Sequence, residues 1–266
     1  MLQNSTPLSR PLLIGEVLDA GVRLFRASLL RSLPLSAPLV IASQLPAFYD
    51  SLQGSLSVSL AQKGPLWWLI YGLVAAVGAW MAGAMLLRQS TAGRAAENAL
   101  GPLLLATLAR VPGAVVISII VSALLLAPLL LTLVGVSSPF VLIVITLTAW
   151  WLFGRLALAV PLYWCDGLQL VAALRSSYLL VRGNLWRLTA IVIVALTVLL
   201  VFFFMLAMLS AVVAPLLGLG DIAVIGALQA VVAVVAGAIG TPFATALALV
   251  VLQDFKRRRM DLSVAE

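Results

Sequence analysis

The sequence has few of the side chains on which enzymes depend. It contains no histidine, a single cysteine at Cys165, and only two lysines, Lys63 and Lys256. One thiol cannot form an intramolecular disulfide or a cysteine-based zinc site. Without histidine, Cys165 also lacks the usual base that would activate it as a nucleophile. The sequence therefore predicts a protein that is not an enzyme and that holds neither a metal nor another cofactor.

Charge is also scarce along the whole chain. Of the 266 residues 9% are charged and 64% are hydrophobic, whereas a soluble domain is about 25% charged and about half apolar. This composition excludes a water-soluble globule. Because about 20 apolar residues cross a bilayer, the apolar runs at 29–48, 65–87, 111–134, 139–161, 188–217 and 222–252 predict six spans. The fold class is an all-α transmembrane bundle that forms one membrane domain over residues 1–266.

The basic residues gather at one set of span ends. Of the 16 lysines and arginines, all but Lys63 and Arg155 lie before the first span, between spans two and three, between spans four and five, or after the sixth. They are Arg10, Arg23, Arg26, Arg31, Arg88, Arg94, Arg110, Arg175, Arg182, Arg187, Lys256, Arg257, Arg258 and Arg259. An excess of cations marks the cytoplasmic side. We therefore expect a multi-pass protein of the bacterial inner membrane with both termini in the cytoplasm.

Each cytoplasmic segment has the pattern of an amphipathic helix that lies in the membrane interface. Before the first span, one stripe is charged and the opposite stripe is apolar. The charged stripe is Glu16, Asp19, Arg23 and Arg26, and the apolar stripe is Leu18, Val22, Phe25 and Leu29. Similar helices are predicted at about 94–110 and 169–182. The chain then reads as a threefold repeat of interfacial helix plus hairpin, with units 11–88, 92–164 and 166–255, and with a basic tail at 253–266.

Several short motifs resemble one known family. They are the run 155–161, the pair Asp166 and Gly167, the segments 173–178 and 182–187, the opening 14–19, and the tail residues Asp254, Lys256, Arg258 and Asp261. Together they resemble the membrane domain fused to some bacterial glycerophosphodiester phosphodiesterases and its stand-alone six-helix relatives. In the fused members the activity resides in a separate soluble barrel. The resemblance therefore implies a six-helix architecture and an envelope or lipid-related role, but not the enzyme activity.

Arg155 is a candidate functional charge because it falls inside the fourth apolar run. A charge within a span is costly and is usually paired or functional. Its long side chain could reach the headgroups, or it could pair with Glu16, Asp19, Glu97 or Asp166. A substrate contact is the alternative. Asp166 is further expected to cap the third interfacial helix.

Small residues recur every four positions on two predicted spans, which permits close packing of helices. On span six they are Ala236, Gly240 and Ala244, and Gly83 ends a similar stripe on span two. Gly240 also lies close to Pro242, where a helix would kink. The kink serves packing in one interpretation. In the other, residues 240–242 form an unwound substrate site, as in some transporters.

The remaining cations are predicted to contact lipid headgroups. These interfacial residues are Arg23, Arg26, Arg182, Arg187, Lys256, Arg257, Arg258 and Arg259. Because the cations flank apolar runs, the expected partners are anionic lipids on the cytoplasmic side and other membrane proteins, not nucleic acid. The sequence thus predicts a non-enzymatic scaffold or accessory protein in an envelope or lipid-related process. A small-solute or anion permease or channel is the alternative.

Overall fold

The computed structural model describes residues 12–46, 49, 63–91, 100–133, 138–216 and 222–264. Within these ranges every regular element is an α-helix, as the sequence predicts. In chain order the helices are α1 (Ile14–Ser43), α2 (Pro65–Ser90), α3 (Leu100–Leu108), α4 (Val111–Leu133), α5 (Pro139–Leu156), α6 (Ala159–Cys165), α7 (Leu170–Val181), α8 (Leu185–Leu216) and α9 (Ile222–Val264). Arg10, Arg94, Glu97 and the predicted span ends at 48, 134 and 217 lie outside the described residues.

The predicted number of six spans is confirmed. Six helical segments of the described chain are long and apolar enough to cross a membrane. They are Ile14–Ser43, Pro65–Ser90, Val111–Thr132, Pro139–Cys165, Leu185–Val213 and Leu228–Arg259. The chain is therefore an integral, multi-pass membrane protein.

The first predicted interfacial helix and the first span are one continuous helix. Helix α1 begins at Ile14, where the backbone N–H of Leu13 donates to Glu16 Oε2 at 2.7 Å and so caps the first turn. Pro34 and Pro38 lie inside α1 without ending it. The prediction that a separate amphipathic helix precedes the span is therefore not confirmed here.

Helix α1 packs antiparallel to α9, and this is the most extensive helix contact of the bundle. Near the start of α1, the absent side chain of Gly21 leaves room for Leu247, which lies 3.0 Å from the position a Cβ would take. Further along, the rings of Phe25 and Phe243 meet edge to face at 5.8 Å. The buried side of α1 is consequently formed by Val17, Gly21 and Ser28. It is rotated from the predicted apolar stripe because close approach to α9 requires small residues.

Helices α4 and α5 form a hairpin whose end leads into the short helices α6 and α7. Helix α5 ends at Leu156, and Gly167 makes the turn between α6 and α7 with a positive φ of 71°. The N-cap of α7 is Gln169, whereas Asp166 is the C-cap of α6. The prediction that Asp166 caps the third interfacial helix is therefore wrong.

The main hydrophobic core lies at the end of the bundle where Leu12, just before α1, meets Asp254 and Arg258 of α9. Its largest buried side chains include Ile117, Trp164, Ile191 and Phe255. Toward the opposite end, α5 and α8 expose large apolar side chains. Examples are Phe140 at 74%, Leu147 at 65%, Leu200 at 66% and Met205 at 66% exposure. In a membrane these surfaces contact lipid or another protein.

The stretch predicted as a basic tail is mostly helical. Helix α9 runs without a break to Val264, and Asp254 and Phe255 are both about 1% exposed. The predicted tail therefore belongs largely to the end of α9, and its location in the cytoplasm stays a prediction. The three predicted repeat units also begin differently, since α1 is continuous with its span whereas α3 and α7 are separate helices. The threefold repeat is not confirmed.

Candidate functional site

The most densely charged site of the described chain surrounds Asp254 on α9. Its Oδ2 lies 3.2 Å from Arg187 Nη2 and accepts a hydrogen bond from Arg258 Nε at 3.0 Å. Its Oδ1 accepts from the backbone N–H of Leu12 at 3.1 Å. The carbonyl of Leu12 in turn accepts from both arginines, at 2.8 Å in the case of Arg258. We call these four residues the Asp254 cluster.

The Asp254 cluster joins three parts of the chain that are distant in sequence. Leu12 precedes α1, Arg187 lies in the first turn of α8, and Arg258 lies one turn after Asp254 on α9. Asp254 is 1% exposed, and the side chains of Arg187 and Arg258 are 17% and 21% exposed. A buried carboxylate is stable only when cations and hydrogen-bond donors surround it. Both of its oxygen atoms are satisfied here, so the cluster ties the three helix ends together.

A second ion pair extends the charged end of the bundle. Lys256 Nζ lies 2.6 Å from Asp166 Oδ1, which fastens the turn after α6 to the end of α9. The pair borders a cavity of about 440 Å³ whose other lining residues include Leu162, Leu168 and Arg259. Asp166 therefore binds Lys256 of α9 and does not cap α7. The predicted pair of Asp166 with Arg155 is not formed.

Arg110 likewise links the start of α4 to α6 and to the turn that follows α6. Its guanidinium donates to the carbonyls of Tyr163 at 3.0 Å and Gly167 at 2.7 Å. The hydroxyl of Tyr163 donates back to the carbonyl of Arg110 at 2.9 Å. This reciprocal pair satisfies backbone groups at helix ends, which would otherwise be left without partners.

The predicted kink at Pro242 is packed against two other helices. Proline has no N–H to offer the carbonyl four residues earlier, and Ser36 Oγ of α1 donates to that carbonyl, of Ala238, at 2.8 Å. The carbonyl of Pro242 accepts from Gln89 Nε2 of α2 at 3.0 Å. Helix α9 is continuous through Gly240 and Pro242, so residues 240–242 are not unwound. Neighbouring side chains thus satisfy the backbone that the proline disturbs.

The predicted small residues occupy three different environments. A Cβ at Gly83 would lie 2.1 Å from Cε2 of Trp164, so only glycine leaves room for this buried indole. Gly240 faces α8, with Leu199 at ordinary contact distance. Ala236 is fully buried, whereas Ala244 is exposed beside an apolar cavity of about 210 Å³ between α8 and α9.

Arg155 makes none of the predicted ion pairs with described carboxylates. Its Cζ instead lies 4.2 Å from the ring centroid of Trp151 and 4.4 Å from that of Tyr178. Its Nε is buried and finds no hydrogen-bond partner in the described part of the chain. Glu97, the remaining predicted partner, lies outside that part. The arginine is therefore held between two aromatic rings instead of against an acid.

The cations predicted to contact headgroups fall into two groups. Arg187, Lys256 and Arg258 bind carboxylates of this chain, so their side chains are already occupied. Arg23 pairs with Asp19 at 3.3 Å, but both side chains are about 70% exposed. Of the cations predicted to contact headgroups, Arg26, Arg182, Arg257 and Arg259 form the second group, with exposed side chains that have no partner among the described residues. This second group and Arg23 remain accessible to a lipid surface.

Sequence reasoning assigned no role to Asp254, Gln89 or Trp164. For Asp254 a signal existed, because an acid followed four residues later by Arg258 on a helix suggests an ion pair. Its second cation, Arg187, is 67 residues away and left no such signal. A buried glutamine and a tryptophan opposite a glycine are recognisable only in three dimensions.

No protein-family model, no curated protein and no solved structure matches this chain. The resemblance to the membrane domain of glycerophosphodiester phosphodiesterases accordingly stays a prediction.

Proposed function

We propose that this chain is a non-catalytic scaffold or accessory protein of the bacterial inner membrane that serves an envelope or lipid-related process. The observation that carries this proposal is that the buried polar side chains link separate parts of the bundle. Asp254, Ser36 and Gln89 all bind groups on other helices or at the start of the chain. Their bonds hold helix ends and a proline site together, and this favours a structural role.

The surfaces of the molecule support the same proposal. The halves of α5 and α8 that lie away from the Asp254 cluster present apolar side chains to lipid or to other membrane proteins. Accessible arginines gather at the end of the bundle that carries the Asp254 cluster. We assign this end to the cytoplasm because cations accumulate on that side. The resemblance to the membrane domain of glycerophosphodiester phosphodiesterases supports the envelope or lipid-related part of the proposal.

The alternative, a permease or channel, places its substrate near Gly240 and Pro242. In the described structure that region is a continuous helix whose proline site is bonded to Ser36 and Gln89. The nearby cavity of about 210 Å³ is lined by residues such as Leu188, Ile191 and Phe243. An apolar lining offers an ion no replacement for its hydration shell. These contacts favour the scaffold over the permease.

Reconstitution into liposomes tests the proposal. We expect wild-type protein to leave the influx of radiolabelled phosphate, chloride and glycerol at the rate of protein-free liposomes, because the described cavity near Pro242 has an apolar lining. The measurement is initial influx as a function of outside concentration. The matched variant is Arg155→Leu, which removes the anion contact of the permease hypothesis. Saturable influx in wild type that Arg155→Leu abolishes would overturn the proposal.

A further inference from the structure

The environment of Arg155 is unusual for an arginine within a helical bundle. The guanidinium touches Trp151, one turn earlier on α5, and Tyr178 on α7, and the two rings stand at 85° to each other. Ser177 Oγ, next to Tyr178, donates to the carbonyl of Arg155 at 2.8 Å and so fastens α7 to the end of α5. Contact with two rings restricts the plane of the guanidinium before any ligand arrives.

The charge of Arg155 has no counterion within the described chain. The carboxylates whose side chains the structure describes are engaged elsewhere: Asp19 with Arg23, Asp166 with Lys256, and Asp254 in its cluster, while Glu16 accepts from Leu13. The Nε–H of Arg155 is buried and has no acceptor among the residues that the structure describes. An uncompensated cation with a donor to spare indicates an anion that the described chain does not supply.

Two further arginines accompany Arg155. Arg175 lies three residues before Tyr178 on α7 and so shares its side of the helix. Arg182 is the C-cap of α7, four residues after Tyr178. Both side chains are exposed, and neither has a hydrogen bond or ion pair within the part of the chain that the structure describes. Trp186, 86% exposed, follows at the start of α8. Exposed tryptophan and tyrosine beside arginine are typical of the headgroup level of a membrane.

We propose that Arg155, held between Trp151 and Tyr178, binds the phosphate of an anionic phospholipid, with Arg175 and Arg182 attracting the same headgroup. The planar guanidinium offers parallel N–H donors that match two phosphate oxygens. Trp151 and Tyr178 are 40% and 38% exposed, so the site opens at the periphery of the bundle, where a lipid can enter from the bilayer. This site goes beyond the proposed function, because a phospholipid could bind there in a scaffold or in a permease.

Native mass spectrometry of the full chain in detergent tests the site. Delipidated protein is titrated with phosphatidylglycerol and, separately, with phosphatidylcholine of the same acyl chains. We expect the first phosphatidylglycerol to bind about tenfold more tightly than phosphatidylcholine, as charge-assisted hydrogen bonds of this type predict. Arg155→Gln should reduce the affinity for phosphatidylglycerol about tenfold and leave that for phosphatidylcholine unchanged.

Three further variants test whether the lipid preference depends on Arg155 and on the rings that hold it. Arg257→Gln removes an exposed arginine of α9 and should change the affinity less than twofold. Arg155→Lys keeps the charge but loses the planar fork, and should lose part of the preference. Tyr178→Leu keeps all three arginines and should weaken binding by releasing the guanidinium, which provides an independent test if Arg155→Gln folds poorly.

The competing sources of phosphate are distinguished in the same experiment. Inorganic phosphate at equal concentration should not displace phosphatidylglycerol. Displacement at equal concentration would show that the site takes a soluble anion, and would overturn the lipid assignment. Equal affinity for the two lipids would overturn the site itself. So would an unchanged preference in folded Arg155→Gln or, if that variant does not fold, in Tyr178→Leu. None of these outcomes depends on solute flux, so the proposal and the proposed function can fail separately.

Discussion

Replacing Asp254 with alanine is expected to lower the free energy of unfolding by about 3–5 kcal/mol, the usual loss when one partner of a buried ion pair is removed. The carboxylate is 1% exposed and faces Arg187 and Arg258. Without it, two arginines are left together with no counterion, and the N–H of Leu12 loses its acceptor. The measurement is equilibrium unfolding in mixed detergent micelles, in which wild type and variant are compared under the same conditions.

Asp19→Ala is the matched control for this prediction. It also removes a carboxylate from an arginine, but the Asp19 and Arg23 side chains are 69% and 72% exposed, and an exposed pair of this spacing contributes about 0.3–0.5 kcal/mol. Limited proteolysis gives a second readout. Asp254→Ala should expose the chain near Leu12 to cleavage, whereas Asp19→Ala should not. If the two variants lose the same small amount of stability, the Asp254 cluster does not hold the bundle together.

Gly83→Ala is expected to destabilise the protein by about 3 kcal/mol, at the upper end of the range for overpacking. The added Cβ would lie 2.1 Å from Cε2 of Trp164 and 2.3 Å from its Cζ2. Trp164 is 2% exposed and packs in the main core, so its indole has little room to move away. Thermal unfolding of the purified variant, followed by circular dichroism, measures the loss.

The same helix supplies the control for this substitution. A Cβ at Gly72 meets no atom within 4 Å, so Gly72→Ala should be neutral or should stabilise α2 by up to about 1 kcal/mol through helix propensity. Combining Gly83→Ala with Trp164→Phe should cost less than the sum of the two single losses, because the smaller ring leaves room for the methyl group. Equal effects of Gly83→Ala and Gly72→Ala would contradict the packing that the structure shows.

The number of spans could be read from the sequence because hydrocarbon selects long apolar helices whatever their neighbours. The same composition hides how those helices pack. When nearly every position of a span is apolar, hydrophobic periodicity no longer marks the buried side. In α1 a stripe was visible and its Phe25 does meet α9, but the fully buried positions include Gly21 and Ser28, which lie outside that stripe. Close approach between helices depends on small residues, and their partners appear only in three dimensions.

For the charged residues, too, the sequence reveals their placement along the chain but not their partners. Counting cations indicates which span ends lie on one side, but the count does not say which cations are already paired. Arg187 and Arg26 look alike in the sequence, yet Arg187 binds Asp254 from 67 residues away and Arg26 is exposed. Asp166 likewise binds Lys256 across 90 residues of sequence. Pairs between residues so distant in sequence form only when the chain folds, so they could not be predicted from the sequence.

With six spans and the cations on the cytoplasmic side, we propose that both ends of the chain and the arginine site face the cytoplasm. Labelling with a membrane-impermeant maleimide tests it most directly, with single cysteines introduced into a Cys165→Ser background. Gly64→Cys and Ser138→Cys should react in intact bacterial cells, whereas Arg182→Cys and Gln253→Cys should react only after the inner membrane is permeabilised. Reaction of Arg182→Cys or Gln253→Cys in intact cells would contradict the account.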